Sequence, residues 1–164
     1  LARAAPTSDA AVPSEVRLPV ALPEAALLGE RQELESLDAE APVMLEQNRV
    51  LLWTAATSGT LTGFVCAPRM ELDAEVTIDA WDEKTHWRHV AVMLPEAALV
   101  DPGDVIHLEV QIDLRRFPAE YRFTTYLKKA PAPGESGSSS TPQPLGTVVI
   151  KLEPPRLGEE KALD

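Results

Sequence analysis

Two stretches of the chain alternate apolar and polar residues with a period of two. In residues 69–79, Met70, Leu72, Ala74, Val76 and Ile78 interleave with Arg69, Glu71, Asp73, Glu75, Thr77 and Asp79. Successive strand side chains point to opposite faces, so the pattern predicts one strand with a buried face. In residues 105–114, Ile106, Leu108, Val110, Ile112 and Leu114 alternate with His107, Glu109, Gln111 and Asp113 and predict a second such strand. Residues 121–127 and 146–152 are rich in β-branched and aromatic types and read as two more strands. Residues 49–55 and 88–94 are shorter, more uniformly apolar strand candidates, the latter bounded by "LPEAA". "DPGD" at 101–104 sets proline and glycine at the two central positions of a tight turn leading into the strand at Val105.

Fifteen prolines leave few stretches long enough for a stable helix, because proline inside a helix removes a hydrogen bond and clashes with the preceding turn. A single helical turn is expected over residues 23–28, with Pro23 in the first turn, Glu24 at the positive end of the dipole and Gly29 as the stop. The predicted fold is mainly β: an antiparallel β-barrel or sandwich-like barrel with one short helical turn. Residues 1–19 read as an Ala/Pro-rich linker or remnant first strand, 20–152 as the β-barrel domain with a disordered-looking loop at 130–144, and 153–164 as a flexible tail.

A length of 164 residues suits one domain with a real core. The net charge of −11 argues against a nucleic-acid partner, since such binding depends on Lys and Arg releasing counterions and no basic stripe is visible. A lone cysteine, Cys66, supplies neither an internal disulfide nor a cysteine-rich zinc site, which favours a reducing, cytoplasmic setting. Short, broken apolar runs and the absence of a basic and apolar leader predict no membrane anchor and no signal peptide. The chain opens with leucine, so further sequence upstream is expected.

Chemistry is sparse. No Walker pattern and no strand followed by G-x-G-x-x-G occurs, so no cofactor is expected to sit in this chain. His86, His89 and His107 lack the converging partners a metal requires, and no metal site is expected. Ser58 and the serines at 138–140 lie in loops without the context of a nucleophile elbow. What stands out is "WDEKTHWRH" at 81–89, two tryptophans and two histidines in a loop between strands. Trp81 and Trp87 can simply plug one end of a barrel or pack between hairpins. The other reading is a recognition loop, an indole face holding a guanidinium while a neighbouring imidazole pairs with a carboxylate.

The sequence "THW" at 85–87, followed by "RHVAVML" and then "DPGDVIHLEVQI", resembles the C-terminal β-barrel domain of the protein arginine methyltransferases. In that family a Thr-His-Trp loop leads into a strand, and a "GD" or "GE" turn introduces a long alternating strand. "GTLTGFVCAPRMELDAEVTI" from Gly59 resembles the strand pair before the loop, and "PAEYRFTTYLKK" from Pro118 the penultimate hairpin strand. "LPEAALLGERQELESLDAE" from Leu22 resembles a short helical turn followed by a strand.

The resemblance implies that His86 pairs catalytically with a carboxylate of a methyltransferase domain, that Trp87 lines the pocket for the substrate arginine and that Thr85 helps to fix the loop. It implies S-adenosylmethionine as the cofactor of the full enzyme, bound by an upstream or separate domain together with the paired glutamates that grip the guanidinium. No stretch here resembles either, so the isolated chain is expected to be inactive. A cationic protein or small-molecule substrate is implied. A homodimer is left open, because the family's helical dimerisation arm is missing or cut to the proline-rich residues 10–19. The competing reading is a non-catalytic β-barrel module that binds Arg- or Lys-rich partners through the same loop, its acidic charge favouring cationic segments.

Overall fold

The structure is a computed structural model and describes residues 14–18, 22–73, 75–83, 85, 87, 89–131 and 141–152. Its strands are β1 (Glu15–Leu18), β2 (Glu46–Thr54), β3 (Gly59–Cys66), β4 (Arg69–Glu71), β5 (Thr77–Asp79), β6 (His89–Val100), β7 (Val105–Asp113), β8 (Ala119–Lys128) and β9 (Gln143–Leu152). A 3₁₀ turn at Glu24–Ala26 is the helical element among the described residues, and no helix there is long and apolar enough to cross a membrane. The strands form three sheets, ordered β1-β6-β3, β2-β7-β8-β9 and β4-β5. Every pairing is antiparallel. The mainly β, sandwich-like class expected from the pattern is what the chain adopts. No continuous hydrogen-bonded ring closes among the described residues.

The alternation in β7 works as read. Ile106, Leu108, Val110 and Ile112 are all buried. Val110 lies opposite Phe123 and Ile112 opposite Tyr121 on β8, so matching apolar faces of neighbouring strands point the same way. One core cluster joins these to Val92 of β6 and to Val148 and Ile150 of β9, so it fills the space between the two larger sheets. A second gathers Ala55, Leu61, Leu94, Val100, Ile106 and Leu127. Trp53 and Phe64 pack against both, with ring centroids 5.7 Å apart. Each such side chain, fully buried, contributes roughly 1.5–3 kcal/mol over its exposed state.

Residues 69–79 depart from the expected single strand. They fold into a hairpin of β4 and β5, with Met70 opposite Ile78. The Asp73 carboxylate accepts the N–H groups of Glu75 and Val76, each at 2.8 Å, and the Leu72 N–H donates to the Val76 carbonyl at 2.9 Å. Asp73 thereby makes locally the bonds that a continuing strand would seek from a neighbour. The apolar face is not buried either: Met70, Leu72 and Val76 are 43%, 57% and 44% exposed.

Strand β6 also differs, running through "LPEAA" instead of stopping before it. Its pairing with β3 jumps from Gly63↔Met93 to Leu61↔Ala98, and Pro95, which has no N–H to donate, sits inside that bulge. Gly63 is required there, because a Cβ would lie 2.2 Å from the Val92 carbonyl oxygen. The "DPGD" turn forms as expected: the Asp104 N–H donates to the Asp101 carbonyl at 3.0 Å, and Gly103 takes a φ of +89°. The buried Asp104 carboxylate accepts the N–H groups of Asp101 and Ala130 and the Lys129 ammonium, fixing this turn to the end of β8.

Within the segment read as linker or remnant strand, β1 pairs with β6 through Glu15↔Val92 to Leu18↔His89. The strand expected after the helical turn does not form. Residues 27–45 contain no strand and run as a strap. Leu28 and Leu34 pack on the core, the Trp53 indole N–H donates to the Glu30 carbonyl at 2.7 Å, and Gln32 donates to the Leu52 carbonyl at 2.7 Å. Tyr121 donates its hydroxyl to Glu35 at 2.8 Å. Residues 132–140 of the expected loop and the tail at 153–164 lie outside the described residues, while Gln143 and Pro144 begin β9.

Candidate functional site

The tryptophan loop connects β5 to β6, so its two ends belong to different sheets. Asp79, the last residue of β5, starts it. Its carboxylate accepts the Trp81 N–H at 2.9 Å, and its carbonyl accepts those of Asp82 and Glu83 at 3.2 and 2.9 Å. Ala80 is buried and donates its N–H to the Pro68 carbonyl. These bonds satisfy the first turn of the loop without a regular element.

His89 closes the other end. It is 2% exposed, and its Nε2 lies 2.7 Å from the Ala80 carbonyl oxygen. A carbonyl only accepts, so Nε2 carries a proton toward it, while Nδ1 has no partner among the described residues. The ring stacks on Trp81, centroids 5.3 Å apart and planes 4° from parallel. Trp81 is thereby locked between the end of one strand and the start of another.

Arg31, from the strap, completes the cluster. Its guanidinium carbon stands 5.7 Å from the centre of the Trp81 ring. It bonds Asp82 at 3.1 Å and approaches Asp79 at 3.9 Å. A guanidinium thus meets a loop indole within the chain, at Trp81.

Of the residues predicted from sequence, Thr85 and Trp87 are half-buried. The Thr85 hydroxyl accepts the Trp87 N–H at 3.2 Å and lies 3.4 Å from its carbonyl oxygen, so this side chain and the backbone of Trp87 are held together. His86 lies outside the described residues, as do Lys84 and Arg88. Sequence reasoning did not find the grouping of Arg31, Asp79, Asp82 and His89 around Trp81. Asp82 and His89 stood in the quoted loop, but Arg31 is 51 positions from Asp82, and no local pattern marks that pairing.

Elsewhere, a charged groove of about 330 Å³ lies over the ends of β2, β7 and β8. Arg115 and Arg116 bond Asp113 there, and Arg116 also bonds Glu120 at 3.1 Å. The hydrogen bonds from Arg115 pull the Asp113 carboxyl down to about 2. These opposite charges largely neutralise one another. Burial pushes the Cys66 thiol up to about 11, which suits packing and not nucleophilic attack. Burial, then the hydrogen bond to Glu35, raises the Tyr121 phenol well above its ordinary value. Among the described residues no group of three or more His, Cys, Asp or Glu side chains converges as metal ligands do.

No protein-family model matches the chain. Over 79 residues it is 33% identical to Protein arginine N-methyltransferase 9 of Homo sapiens, a stretch that covers 48% of this chain and 9% of that protein. The chain therefore spans only a small part of the length of the relative it matches.

Proposed function

We propose that this chain is the substrate-side β-domain of a protein-arginine-methyltransferase-like enzyme that uses S-adenosylmethionine, working with a cofactor-binding domain supplied by other sequence or by a separate chain. The observation that carries the reading is the 33% identity over 79 residues to an arginine methyltransferase, in a chain that also holds the Thr85-His86-Trp87 loop. In this reading Trp87 offers an indole face to the substrate guanidinium and Thr85 holds the Trp87 backbone. His86 pairs with a carboxylate of the partner domain. The domain's contribution to rate is positioning, since holding a reactant in the right geometry lowers the entropic part of the barrier.

The described residues do not fit the cofactor. They contain no strand, Gly-rich loop and helix in succession that would seat it. Two features support a partner domain: the apolar face of the β4–β5 hairpin stands open beside the loop, and the chain carries a net −11 charge suited to cationic substrates. The reading carries with it a reducing, cytoplasmic setting and no role for nucleic acid or membrane.

A second reading, a binding module for Arg- or Lys-rich partners, is favoured by one observation: a loop indole already holds a guanidinium without any second domain. Replacing Trp87 by alanine separates the two. The enzyme reading predicts diminished methyl transfer in the complete enzyme with the β-domain's melting temperature unchanged. The binding-module reading predicts lost binding of an arginine-rich peptide to this chain alone. Calorimetry should find no S-adenosylmethionine binding to the chain by itself, and micromolar binding would defeat the enzyme reading as stated.

A further inference from the structure

We propose that Trp81, Asp79 and Asp82 form a guanidinium-binding subsite, occupied by the chain's own Arg31, and that an arginine side chain of a bound peptide exchanges for it. The proposal goes beyond the assignment of Trp87 and extends it to a second arginine, so it rests on that reading only for its biological role.

The chemistry of a guanidinium site is present in full. An aromatic face stands 5.7 Å from the guanidinium carbon, one carboxylate bonds it at 3.1 Å, and a second lies at 3.9 Å. These are the partners that suit a planar, delocalised cation and serve a compact ammonium less well. The receiving half is built beforehand: the buried His89 holds Trp81 by stacking, and Asp79 is aimed by the Trp81 N–H.

The occupant, by contrast, is held loosely. Arg31 bonds Asp82 through one nitrogen instead of a bidentate fork, and its side chain is 46% exposed. It sits on a strap with no regular structure, whose backbone is tied independently at Glu30 and its side chain at Gln32. Rotation of the Arg31 side chain alone opens the site, with no hydrogen bond between backbone groups broken. An internal competitor of this kind lowers apparent affinity by the fraction of time it occupies the site.

The test is a fluorescence and calorimetric titration of this chain with the blocked tripeptide Gly-Arg-Gly, and with Gly-Lys-Gly as control. Arg31→Ala should bind the arginine peptide about tenfold more tightly than the parent, equivalent to about 1.4 kcal/mol. The lysine peptide should gain much less. Adding Asp82→Asn to Arg31→Ala should remove the gain. Unchanged or weaker binding by Arg31→Ala overturns the proposal, as does equal gain for both peptides or a gain that Asp82→Asn leaves in place. If Arg31→Ala melts below the assay temperature, Arg31→Lys gives the same reading, with a smaller rise expected and no rise counting against the proposal. None of these outcomes depends on methyl transfer, so failure here and failure of the enzyme reading are distinguishable.

Discussion

Removing one oxygen, by Tyr121→Phe, separates the strap from the sheet beneath it. The Tyr121 ring belongs to the main core cluster and is kept by phenylalanine, so no cavity opens. What is lost is the hydroxyl that donates to Glu35 at 2.8 Å, leaving that carboxylate with the weaker Gln47 contact at 3.4 Å. A hydrogen bond to a charged acceptor contributes about 1.5–3 kcal/mol, and with Glu35 only half-buried the lower end applies, roughly 1.5–2 kcal/mol. For a chain of this size that corresponds to a fall in melting temperature of roughly 3–8 °C.

The same bond carries a pH signature. Burial and Glu35 raise the phenol's pKa in the folded state, so the folded protein holds the proton more tightly than the unfolded chain does. The stabilisation is whole below about pH 10, the ordinary tyrosine value, and declines as pH rises past it. Urea denaturation of parent and variant at pH 7 and at steps up to pH 11 measures both effects. The stability gap should be present at pH 7 and narrow above pH 10. A variant as stable as the parent at pH 7, or a gap that widens with alkali, would refute the reasoning.

Gly63→Ala should destabilise by about 1–3 kcal/mol in chemical denaturation, because the added methyl meets the Val92 carbonyl at 2.2 Å and backbone cannot step aside. Cys66 should react with iodoacetamide at pH 8 on the order of a hundredfold more slowly in the folded chain than in urea, since its thiol is pushed up to about 11. The Asp113 carboxyl should titrate near 2 by NMR, and Arg115→Ala should move it back toward about 3.9. Because this pKa is depressed on folding, the contribution of Asp113 is present above about pH 3.9 and disappears as pH falls through about 2.

Strand β7 was legible in the sequence because its inward residues meet Tyr121, Phe123 and Leu127 on the inward face of β8, so local pattern and tertiary packing agree. Residues 69–79 show the same alternation, but Leu72 and Val76 are an even number of positions apart, so a turn between them preserves the pattern. A hairpin with both arms facing one way then reads like a single strand, and only the Asp73 side chain tells them apart. Proline commonly ends a strand, so the pattern alone stops β6 before Pro95, whereas a bulge accommodates it here. The Thr85 and Trp87 contact is local, between residues two positions apart. The Arg31 contact with Trp81 depends on how the strap folds back, which no residue spacing encodes.

Methyl transfer from S-adenosylmethionine to an arginine peptide by the complete enzyme, with and without Trp87→Ala, tests the central claim most directly. Loss of one cation–π contact worth about 0.5–2 kcal/mol predicts a fall in kcat/KM of about 2- to 30-fold, with the melting temperature of the β-domain unchanged. Undiminished transfer by a folded Trp87→Ala enzyme would contradict the account.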